Sequence, residues 1–188
     1  MKRLFAITLV MLLSSAMFFV VVSAGGGLVT KSMTAKWTGT LYDVGICPFD
    51  PDKILTVNVG NGVASGPLGS SNFLFVYCID PIKLEGYGWG IITTAKGDKL
   101  HVYVSNLMVN TAEDPPKWSQ VEVIVGGTGM LEGAIGTSFS DGTWTSGAAR
   151  FPGVYSDGPP PGYPLPTPPP LFDPAQGWVG TTIGEITF

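Results

Sequence analysis

The tightest constraint on this chain is a regular alternation. Short apolar or β-branched runs recur along it, each closed by a turn signal, and no stretch beyond the N-terminus carries helical periodicity. The runs are Lys36 to Asp43, Ile54 to Val59, Phe73 to Ile79, Tyr87 to Thr94, Leu100 to Val109, Trp118 to Val125, Ala134 to Phe139, Thr143 to Ser146 and Trp178 to Phe188. Between them stand Cys47-Pro48-Phe49-Asp50-Pro51-Asp52 as a rigid loop, Gly60-Asn61-Gly62 as a turn, Gly97-Asp98 as a tight hairpin turn, and Pro115-Pro116 as a breaker. Phe73 to Ile79 is apolar on both faces and so predicts a strand covered on both sides. Eight to ten short antiparallel strands imply a barrel or a sandwich. The last run ends the chain inside a strand pattern, and such a strand needs an edge to pair with. Closing a barrel against the first strand would supply it.

Composition supports the same class. There are 26 glycines and 16 prolines among 188 residues, and only 13% of residues are charged, against roughly 25% in an ordinary domain. The formal charge is −4, and no basic run occurs, which excludes a nucleic-acid footprint. One domain accounts for the length.

The N-terminus is different. Lys2 and Arg3 precede an apolar run from Leu4 to Val22, followed by Ser23, Ala24 and three glycines. This is the pattern of a secretory signal, with cleavage after Ala24. A single domain over 25–188 then remains, secreted or periplasmic, with no stable membrane insertion. An uncleaved anchor is the alternative, since the run is just long enough to span a bilayer. Export makes a disulfide between Cys47 and Cys78, the only cysteines, the expected pairing. Two buried thiols are the other reading.

Residues 151–174 hold ten prolines. They predict an extended loop insertion before the last strand. Tyr155 and Tyr163 could make it a recognition segment, and an envelope interaction protein would use it so.

Candidate chemistry is sparse. The single histidine, His101, lies in the run Leu100 to Val109. Alternation puts His101, Tyr103 and Ser105 on one face and Leu100, Val102 and Val104 on the other. If the polar face points inward, these three line a pocket. If it points outward, the aliphatic set forms the core. Glu122 is either solvent-facing or an acid in the lumen. No G-x-S-x-G elbow accompanies His101. One histidine and two distant cysteines cannot make the usual zinc set. No EF-hand pattern follows Asp50 and Asp52. No cofactor is expected. Aromatic residues on the predicted strands suit either a packed core or a ligand pocket.

The segment Gly126-Gly127-Thr128-Gly129-Met130-Leu131-Glu132-Gly133-Ala134-Ile135-Gly136 follows a strand. It lacks the spacing and the βαβ context of a dinucleotide loop. Its glycines suit a bulged hairpin connection, with Leu131 dropping into a barrel end as a plug. Together with the C-terminal Trp178-Val179-Gly180-Thr181-Thr182-Ile183-Gly184-Glu185-Ile186-Thr187-Phe188, this hairpin resembles that of the allene oxide cyclase and dirigent-type barrels and their small exported bacterial relatives. Leu131 stands where Phe is usual. The match covers 97–146 and 178–188. The resemblance implies an eight-stranded antiparallel, calycin-like barrel, often trimeric, with an interior pocket for an apolar molecule. The plant members steer cyclisation or coupling of a reactive apolar intermediate, so the resemblance also implies a cofactor-free isomerase or cyclase as an alternative. It carries over no catalytic position.

Overall fold

A computed structural model describes residues 28–145 and 176–188. The calls on a signal segment and on the proline-rich insertion at 151–174 fall outside these residues. Eight strands follow in chain order: β1 (Thr30–Cys47), β2 (Asp50–Ala64), β3 (Ser70–Ile79), β4 (Glu85–Thr94), β5 (Lys99–Asn110), β6 (Lys117–Gly127), β7 (Ile135–Thr145) and β8 (Gln176–Thr187). Each pairs antiparallel with the next, and β8 returns to β1 from Thr30↔Thr187 to Leu41↔Gln176. The sheet is a closed barrel without a free edge. Among the described residues no helix is long and apolar enough to cross a membrane.

The two ends differ. At one end lie the β2–β3, β4–β5 and β6–β7 connections. Here Met33, Leu68, Leu100, Leu131, Ala134 and Ile186 are each at most 2% exposed and pack into one core. Leu131 enters from a single 3₁₀ turn, Gly129–Leu131, between β6 and β7. Gly129 and Gly133 bracket that turn with φ of +61° and +75°, values that side chains disfavour. β6 bulges at Val125, because His101 pairs with Gly126 while Val102 pairs with Ile124. The glycine segment is therefore a bulged hairpin that aims a leucine into the barrel end. The opposite end carries the β1–β2, β3–β4 and β5–β6 connections, and among the described residues no such core closes the lumen there.

Two predicted breaks are absent and a third is shortened. Gly60-Asn61-Gly62 is no turn: β2 continues through it to Ala64. Most of the loop from Cys47 to Asp52 is strand, with only Pro48 and Phe49 turning. The runs at 134–139 and 143–146 join as one β7. The two uninterrupted strands, β2 and β7, share a reason. Gly60, Gly62 and Gly142 point into the lumen, where aromatic rings lie against them. A Cβ on Gly60 would stand 2.5 Å from the Phe73 ring, and one on Gly142 2.7 Å from Trp118.

β3 is apolar on both faces for two purposes. Phe73, Phe75, Tyr77 and Ile79 enter the lumen. Leu74 and Val76 pack outside against buried Val57 and Val59 of β2. A disulfide joins Cys47 to Cys78, with Cα atoms 5.5 Å apart. It ties the β1–β2 hairpin to β3 at the open end.

Two stability predictions follow from this packing. Replacing both cysteines with serine should cost about 3–4 kcal/mol, the chain-entropy value for a loop of this size. A urea midpoint unchanged from wild type would show that the bridge constrains nothing. Gly39→Ala would put a Cβ 2.5 Å from Trp178 and 2.8 Å from Phe73. It should cost about 1–3 kcal/mol by overpacking, measured by the same denaturation.

Candidate functional site

The open half of the lumen holds a cavity of about 180 Å³. An apolar cavity of ~150 Å³ accepts benzene, so this one has room for a ring and a small substituent. Its wall is aromatic: Trp37, Phe73, Phe75, Tyr77, Trp118, Trp144 and Trp178 all line it. The rings contact one another in series. Trp37 meets Phe73 edge-on at 5.7 Å, Phe73 meets Trp178 at 5.5 Å, and Trp178 meets Trp118 edge-on at 4.9 Å. Phe75 stacks on Tyr77 at 5.9 Å. Leu84, Thr111 and Pro116, from the β3–β4 and β5–β6 connections, surround the mouth.

One polar cluster interrupts this wall, and its hydrogen bonds have a direction. Trp37 Nε1–H donates to Thr182 Oγ1 at 2.9 Å. Thr182 and Ser140 hydroxyls meet at 2.6 Å, and Ser140 donates to Glu122 Oε1 at 2.6 Å. A hydroxyl has one proton to give. Ser140 spends it on Glu122, so Thr182 is the donor in the shared bond. On the other side the Tyr77 hydroxyl donates to Gln120 Oε1 at 3.0 Å, and Gln120 Nε2–H donates to Glu122 Oε1 at 2.6 Å. Ser138 donates to Glu122 Oε2 at 2.5 Å. Every chain of donors ends on the Glu122 carboxylate. Trp178 Nε1–H donates to Asn58 Oδ1 at 2.8 Å, and the Asn58 side chain hydrogen-bonds the Tyr77 hydroxyl.

Glu122 is 5% exposed. Among the described residues no Lys, Arg or His forms an ion pair with it. Burial raises the Tyr77 hydroxyl far above the ordinary tyrosine value of 10.0, and the Glu122 charge adds to the rise.

The four pocket candidates separate. Glu122 lines the cavity. His101, Tyr103 and Ser105 do not. They occupy the outer face of β5, with Tyr103 37% exposed, while Leu100, Val102 and Val104 fill the lumen at 3% or less. Burying three aliphatic side chains outweighs burying three polar ones that lack partners. Sequence reasoning missed Asn58, Tyr77, Gln120, Ser140 and Thr182 as polar lining, and Ser138 as a donor to Glu122. Phase could have found several. Gln120 and Glu122 alternate in step with Trp118, and Ser138 and Ser140 in step with Trp144.

No protein-family model matches the chain, and no curated protein matches it significantly.

The buried tyrosine sets an alkaline limit. Its folded value is raised, so the stability it contributes is complete below pH 10.0, the ordinary value, and falls as pH rises through the folded value. Unfolding free energy should therefore decline above about pH 10, and more shallowly in Tyr77→Phe. Equal alkaline slopes in the two proteins would contradict this.

Proposed function

We propose that this protein is an exported barrel that holds one small apolar molecule in its lumen. The observation that carries the reading is the cavity of about 180 Å³, walled by seven aromatic side chains above a plugged barrel end. An apolar cleft with a few convergent polar groups is the usual form of a small-molecule site. Export rests on the N-terminal pattern of Lys2, Arg3 and the apolar run to Val22. The Cys47–Cys78 bridge agrees with an oxidising compartment. The resemblance of the glycine hairpin to allene oxide cyclase and dirigent-type barrels is in keeping with a lumen site, and it suggests a trimer as the assembly.

A second reading, a cofactor-free isomerase or cyclase, is favoured by one specific feature. Glu122 is a buried acid on the cavity wall with a hydrogen-bonded chain leading to it. A pocket that fixes a reactive conformer beside such a group could accelerate ring closure.

The binding reading is tested with toluene. Four of the five tryptophans line the cavity, so occupancy should change intrinsic fluorescence, and calorimetry should give one site per chain. Val109→Trp fills the space near the mouth, where Val109 is part of the lining. It should weaken toluene binding by about tenfold, a loss of about 1.4 kcal/mol, with little change in melting temperature. Toluene that binds neither protein would remove the reading.

A further inference from the structure

We infer that the lumen selects an organic ammonium: a protonated amine on a small apolar or aromatic body, with its nitrogen directed at Glu122. The inference rests on the lumen-binding reading and names its ligand class. Three features of the site carry it.

The first is charge. Among the described residues that line the cavity, Glu122 is the only one with a formal charge, and no Lys, Arg or His stands among them. The ion pairs of the described residues all lie elsewhere. A carboxylate 5% exposed with no cation beside it among the described residues is unusual, because buried charges are normally paired.

The second is acceptor capacity. A carboxylate offers about four lone-pair positions. Gln120 and Ser140 take two on Oε1, and Ser138 takes one on Oε2. One position on Oε2 remains for a donor. The side chains that reach the carboxylate give their protons inward to it, so at Glu122 the site lacks a donor; the buried Nε1–H of Trp118, also on the wall, has no acceptor among the described residues.

The third is the wall. Trp37, Trp118, Trp178, Phe73 and Phe75 present aromatic surface to the same space. Aromatic faces carry negative quadrupole density, and a cation within about 6 Å of such a ring is attracted to it. The faces replace part of the water that an ammonium loses on entry. A carboxylate ligand would meet the opposite field, with repulsion from Glu122 and no cation to receive it. A neutral alcohol could fill the open Oε2 position but would gain nothing from charge.

The test compares three ligands of similar size: benzylammonium, benzyl alcohol and benzoate, titrated calorimetrically at pH 7 and low salt, with toluene as the apolar reference. Benzylammonium should bind at least about tenfold tighter than benzyl alcohol, and benzoate should not bind at the same concentrations. In Glu122→Gln the preference for benzylammonium over benzyl alcohol should disappear while toluene binding persists. Benzyl alcohol or benzoate binding as tightly as benzylammonium would overturn the inference, and so would a preference that survives in Glu122→Gln. The wild-type series alone decides the sign should that variant fail to fold. Toluene binding without cation preference would remove only the ammonium. Absence of binding by all four would remove the lumen-binding reading as well, and the inference with it.

Discussion

An eight-stranded barrel is just wide enough inside for its own side chains to fill. This one admits seven aromatic residues and still keeps a cavity. It can do so because the wall opposite many of the rings has no side chain. Trp178 and Phe73 lie over Gly39, Trp37 over Gly62, Tyr77 over Gly88, Phe75 over Gly90, and Trp118 over Gly142 and Gly180. Glycine weakens a strand and forgoes packing of its own. Here the loss is offset by ring-to-backbone contact. The remaining architecture depends on that exchange. The rings also contact one another, Trp37 with Phe73, Phe73 with Trp178 and Trp178 with Trp118.

The polar cluster depends on the same geometry. A buried carboxylate is tolerable when its hydrogen bonds are supplied from fixed positions. Gln120 stands two residues before Glu122 on β6, and Ser138 pairs directly with Glu122 across β7. Ser140 pairs with both Gln120 and Thr182 in the registers of β6–β7 and β7–β8. Sheet registry therefore sets these donors. The plugged end contributes rigidity from below, through Leu100, Leu131 and Ile186. A one-residue slip of β7 would send both serines outside and leave the acid without donors. The cluster and the plug thus specify the same register.

Much of this was legible in the sequence, and the failures have a common origin. The all-β class and the closure of the last strand on the first follow from spacing and alternation, the plugging leucine from the glycines around it, and the disulfide from reading the chain as exported with only two cysteines. Gly60-Asn61-Gly62 was read as a turn because glycine signals two things, a sharp bend or a close approach, and local sequence does not separate them. The ring that lies on Gly60 belongs to Phe73, and the ring on Gly62 to Trp37, each on a neighbouring strand. His101, Tyr103 and Ser105 presented a polar face whose direction depended on what the other face could bury. Glu122 was open for the converse reason. Its flanks, Val121 and Val123, are apolar and face outward, so alternation alone suggested a solvated acid. Only the phase shared with Trp118, four positions before it, and Ile124, two positions after, marks it as interior.

Position along β6 gives the site its polarity. From the open end the inward residues run Trp118, Gln120, Glu122 and then Ile124, which belongs to the plugged core. The charge therefore lies at the floor of the cavity and the rings lie on the way to it. A ligand whose polar group reaches Glu122 must pass that group through the aromatic belt first and leave its apolar body within the belt. For a neutral polar head the passage is a loss of hydration with little in return until the floor is reached. For a cation, ring faces along the route replace part of the lost hydration. Because the cavity wall is a closed sheet, the described strands need no ordering on entry, and on the ammonium reading selectivity rests on desolvation and field rather than on induced fit.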